Sequence, residues 1–61
     1  MIRLLVAEDV RMLRETLATV LGLEPDIEVV AKVEAGDGIL SAVLAHRPDV
    51  AILDIDLIGV Q

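Results

Sequence analysis

Three short aliphatic runs separated by two stretches of helical period limit what this chain can fold into more than any other feature. Ile2–Ala7 is a nearly continuous apolar run broken only by Arg3, which reads as a strand covered on both faces. From Val10 the period changes: Val10, Leu13, Leu17, Val20 and Leu21 fall on one helical stripe, with Arg11, Arg14, Glu15 and Thr19 on the remainder. Gly22 ends that helix, and Glu24-Pro25-Asp26 makes the turn. Ile27–Val33 alternates, with Glu28 and Lys32 facing water as on a strand at a sheet edge. Gly36-Asp37-Gly38 reads as a loop, and Ile39–Arg47 as a second helix that buries Leu40, Val43 and Leu44 until Pro48 stops it. Val50–Leu53 is a third strand, again read as buried on both faces.

The order βαβαβ with short connections predicts an α/β fold with parallel strands and right-handed crossovers. In open sheets of this kind, sites lie beyond the carboxyl ends of the strands, near the point where strand order reverses. Glu8-Asp9 closes the first strand and Asp54 closes the third. If those strands are neighbours, three carboxylates converge at one rim.

Composition narrows the function classes. With 61 residues the chain makes one small domain at most, and such a domain buries only about 60% of its unfolded surface. It has no cysteine, and its single histidine, His46, cannot build a zinc site alone. The net charge is −6, and the five basic residues, Arg3, Arg11, Arg14, Lys32 and Arg47, are dispersed. That argues against a nucleic-acid surface on this segment, because phosphate backbones need clustered Lys and Arg. The apolar runs fall far short of the ~20 residues that span a bilayer. The start, MIRLLVAEDV, does not read as a signal peptide. A cytoplasmic protein without a membrane partner is therefore expected.

The third strand has no outer partner in this pattern, and a bare aliphatic edge is a template for pairing. The sequence reads as the first half of a larger α/β domain. It is expected to self-associate as a homo-oligomer, or to be completed by a complementing fragment, through that strand.

Clustered carboxylates raise one another's pKa unless a cation joins them. Mg²⁺ suits such a rim, since it takes one or two carboxylates and accepts a phosphate oxygen. A carboxylate beside it can be the nucleophile and become an aspartyl-phosphate. Plainer roles stand next to these. Asp9 before a helix can be its N-cap, Asp56 a solvated loop acid, Asp37 a cap between glycines, and His46 a partner of a helix C-terminus. The Gly36-Asp37-Gly38 loop lacks both the dinucleotide and the Walker patterns.

LLVAEDVRMLRETLATVL followed by DIEVVAKVEAGDGILSAVLAHRPDVAILDIDL resembles the receiver domain of bacterial two-component response regulators, most closely the NarL/LuxR-type transcriptional regulators. The acidic pair after the first strand, the EVV strand, the A-x-x-G loop and the PDVAILDIDL strand carry the resemblance over essentially the whole chain. It implies a flavodoxin-like parallel sheet, with residues 1–61 forming the N-terminal half of a receiver (three strands, two helices) and no output domain. It also implies that Asp54 accepts a phosphoryl group from a histidine kinase. Glu8, Asp9 and Asp54 would bind Mg²⁺, with the backbone carbonyl of Asp56 as a further ligand. Such a protein is a phospho-acceptor rather than a turnover enzyme, and reaches DNA only through an output domain.

There are departures. Leu57-Ile58-Gly59 stands where the family usually has Met-Pro-Gly, and the Ser/Thr and Lys that follow the phosphoryl group in the family have no counterpart after Asp54. The fragment is therefore not expected to switch alone. Two other readings use the same acids: a Mg²⁺-dependent Toprim-type phosphodiester enzyme built on Glu8 and Asp54-x-Asp56, and a structural half-domain serving assembly. Haloacid-dehalogenase-type phosphatases share the D-x-D but usually open with it and have a Thr two places on, which is lacking here.

Overall fold

The computed structural model describes residues 1–34 and 36–54. Five elements follow one another: β1 (Ile2–Glu8), α1 (Arg11–Gly22), β2 (Ile27–Val33), α2 (Asp37–His46) and β3 (Val50–Asp54). The strands form one parallel sheet in the order β2-β1-β3, parallel as the alternation predicts and arranged as the truncated flavodoxin-like fold that the resemblance implies. β1 therefore lies in the middle, and Leu4, Leu5, Val6 and Ala7 are buried on both of its faces. Taking Leu5 and Val6 wholly out of water stabilises the fold by about 1.5–3 kcal/mol each.

Strand order reverses at β1, so right-handed crossovers lay the two helices on opposite faces. An ion pair and a hydrogen bond agree. Lys32, in register with Val6, reaches Glu15 of α1 at 2.8 Å. Arg3, one residue out of phase, donates to the carbonyl of His46 in the last turn of α2. The register of β2 against β1 steps from Leu4↔Val29 to Leu5↔Ala31, which leaves Val30 over as a bulge. Glu28 and Lys32, which regular alternation would put on one face, thereby fall on opposite faces, and both are exposed as expected.

The helices sit in a different phase from the one their apolar residues predict. In α1 the inner positions are Arg14, Leu17, Ala18 and Leu21, while Val10, Leu13 and Val20 are exposed. In α2, Ile39, Ala42 and Val43 are partly covered, whereas Leu40 and Leu44 face water. In α2 aliphatic residues run nearly all round, and in α1 they span a wide arc opposite a polar side, so more than one stripe qualifies and tertiary packing selects one. β3 is not buried on both faces either: Val50 is 48% and Leu53 59% exposed.

The ends are fixed by backbone chemistry. Gly36, the N-cap of α2, has φ 64°, a conformation open to glycine at little cost, so Asp37 is the first helical residue and not the cap. Arg47 closes α2 at φ 49° with its N–H on the Val43 carbonyl. Ile2 N–H donates to Asp26, and Asp49 N–H to the Arg3 carbonyl, both at 2.7 Å. Arg3 N–H in turn donates to the Asp49 carboxylate at 2.8 Å. These bonds pin the amino ends of β2 and β3 to β1.

Candidate functional site

The carboxyl end of the sheet is where the sequence-predicted residues gather. Glu8, the last residue of β1, is in register with Asp54, the last residue of β3. Neighbouring strands lie about 4.8 Å apart, so two acids distant in sequence end adjacent strands side by side. The cause is the strand order: β3 crosses back over β1 rather than continuing beyond β2. Asp9 follows at once and is exposed. Asp56 and the Leu57-Ile58-Gly59 loop lie outside the described residues.

Glu8 is only 2% exposed. Its Oε1 accepts the N–H of Val10 at 3.0 Å, and the carbonyl of Glu8 accepts Nη1 of Arg14 at 2.8 Å. Val10, not Asp9, is the N-cap of α1, and no side chain caps the helix from that position. The capping role expected of Asp9 is thus corrected: Val10 occupies the cap position, and Glu8 accepts the N–H of that residue rather than an amide of the first helical turn. Because α1 opens directly after this turn, its positive N-terminal end lies at the rim and favours negative charge there.

Arg14 departs furthest from the sequence expectation: outside the aliphatic stripe of α1, it is nevertheless only 9% exposed. The signal was present in the spacing, since Arg14, Leu17, Ala18 and Leu21 form an i, i+3, i+4, i+7 series as good as the purely aliphatic one. Counting a charge as outward-facing hid it. A buried guanidinium needs a partner, and a strand-ending carbonyl beside two acids supplies one.

The residues that the sheet brings to this end, Glu8, Asp9 and Asp54, are acidic, and carboxylates are hard oxygen ligands of the kind Mg²⁺ selects. Among the described residues no group of three or more His, Cys, Asp or Glu is placed to hold a metal, and the Asp54 side chain is not among them. His46 lies at the opposite end of the sheet, in the last turn of α2. Among the described residues no helix is long and apolar enough to cross a membrane.

No protein-family profile matches the chain. It is 46% identical over 57 residues to the transcriptional regulatory protein YvfU of Bacillus subtilis, covering 93% of this chain and 28% of that protein. It is 42% identical over 59 residues to the transcriptional regulatory protein DesR of the same organism, covering 97% of this chain and 30% of DesR. A protein-glutamate methylesterase/protein-glutamine glutaminase of Nitrosospira multiformis is 42% identical over 57 residues, covering 93% of this chain and 16% of the enzyme. The chain thus spans less than a third of each of these relatives.

Proposed function

Because the chain belongs to the receiver domains of response regulators, we propose that it is the phospho-accepting segment of a two-component switch, with Asp54 as the acceptor. The observation that carries this reading is the register of Glu8 with Asp54, with Asp9 next in the chain. An oxygen of the Asp54 carboxylate attacks phosphorus, and a new P–O bond forms. The P–N bond to the phosphohistidine of a histidine kinase breaks, and the leaving imidazole keeps the electron pair and takes up a proton. Glu8, Asp9, Asp54 and the backbone carbonyl of Asp56 would hold Mg²⁺, which when bound neutralises charge on the transferring phosphoryl group. The helix N-terminus after Asp9 favours the same charge.

The acceptor is consumed once per cycle, so the segment itself is not a turnover enzyme. In the whole protein the readout is control of transcription through a DNA-binding region outside this segment, by analogy with relatives that are transcriptional regulators. Pairing along the outer edge of β3, with another copy or with further chain, would cover its exposed Val50 and Leu53. The Toprim-type alternative also uses Glu8 and Asp54, but it needs Asp56, which lies outside the described residues. No observation favours it.

The test is incubation of the full-length protein with Mg²⁺ and acetyl phosphate. An acid-stable, base-labile adduct is expected, and it is lost in Asp54→Asn. An adduct that survives Asp54→Asn refutes the assignment.

A further inference from the structure

Arg14 stands in the first turn of α1, at an inner position that a leucine would fill more cheaply if packing were its only task. Instead its Nη1 donates at 2.8 Å to the carbonyl of Glu8, in a bond buried from water. The Glu8 carboxylate accepts the N–H of Val10 at 3.0 Å. The turn Glu8-Asp9-Val10 is therefore fastened on both sides of Asp9, at the carbonyl before it and at the amide after it. Asp9 is held out to solvent between the two bonds.

We infer that Arg14 is a positioning residue for cation binding at this rim, acting through the β1–α1 turn and not on the phosphoryl group. The inference rests on the receiver reading above. Its planar fork fixes the direction of the bond it makes, which a point-charge ammonium does not. Two consequences of removing it have opposite signs. A guanidinium bonded to the Glu8 carbonyl repels a second cation at this rim, so simple electrostatics makes Mg²⁺ bind more tightly without it. Loss of the fastening lets the turn carrying Glu8 and Asp9 move, so positioning makes Mg²⁺ bind more weakly. Outer groups that orient ligands typically change metal affinity by about 10–100-fold, and the positioning effect dominates here.

The experiment is calorimetric titration of full-length protein with Mg²⁺, comparing wild type, Arg14→Met, Arg14→Lys and Leu17→Ala, each at a temperature where circular dichroism shows it folded. Arg14→Met is expected to bind Mg²⁺ about tenfold more weakly, Arg14→Lys to recover part of that loss, and Leu17→Ala to match wild type although it destabilises the same helix. In metal-free protein the Val10 amide exchanges faster in Arg14→Met than in Leu17→Ala. If Arg14→Met binds Mg²⁺ as tightly as wild type or more tightly, the inference is wrong while the receiver reading stands. If Arg14→Met does not fold, a folded Arg14→Lys with wild-type affinity overturns the inference, and weaker binding supports it. A wild type that takes up no Mg²⁺ removes the inference and the reading together.

Discussion

β1 and β3 are written in nearly the same alphabet, IRLLVAE and VAILD, yet one is the core and the other is half in water. Leu5 and Val6 are wholly buried, while Leu53, two strands' width from β2, is 59% exposed. Composition does not separate the two strands. Place in the sheet does, because β1 has a neighbour on each side and a helix over each face, whereas among the described residues β3 has one neighbour. β2 is also an edge, but it carries Glu28 and Lys32, charges that discourage further pairing. Val50–Leu53 offers no such protection. Both strands nevertheless end in an acidic residue at the same level, and the proposed site is built on that shared ending.

The largest effect comes from deleting side chain in the two strands. Leu5→Ala is expected to cost about 2–5 kcal/mol, a large part of the roughly 3–9 kcal/mol available to a domain of this length. Leu53→Ala should cost about 0.5 kcal/mol or less. Denaturant titration of both variants breaks the comparison if the costs are equal, since the outer side of β3 would then be covered in solution.

The smallest effect belongs to the β2 edge. The hydrogen bond from Lys32 holds the Glu15 carboxyl below its ordinary 4.5. A carboxyl whose pKa is lowered on folding adds stability that is complete above its unfolded pKa and fades as pH falls through the folded one. Glu15→Gln should therefore destabilise slightly at neutral pH, and the difference from wild type should vanish in acid. Because the pair is exposed, added salt should shrink it too. Melting curves at neutral and acid pH, with and without salt, measure this. A difference that grows in acid contradicts it.

The order of elements and the gathering of Glu8 and Asp54 were legible from the sequence, because aliphatic runs and strand-ending acids survive any choice of helix phase. The phases themselves were not legible. Leu13 and Val20 compete with Arg14 and Ala18 for the places beside Leu17 and Leu21 in α1, and Leu40 and Leu44 with Ile39 and Ala42 for those beside Val43 in α2, so periodicity alone leaves a choice that packing resolves. The bulge at Val30 has no local signature within a run of β-formers. Burial of Arg14 was hidden by the rule that charges face water, which fails where a buried carbonyl gives the guanidinium a partner. Burial of β3 was overestimated because an apolar run reports what a strand can bury, while its neighbours decide what it does bury.

The central claim is that the carboxyl rim, and no other part of the sheet, receives the cation and the phosphoryl group. Titrating isotope-labelled full-length protein with Mg²⁺ while following backbone amide resonances tests it most directly. The account predicts saturable shifts at Glu8, Asp9, Val10 and Asp54, with Arg3 and Asp49 at the opposite end unmoved. Shifts centred on Arg3 and Asp49, or none at Asp54, would contradict it.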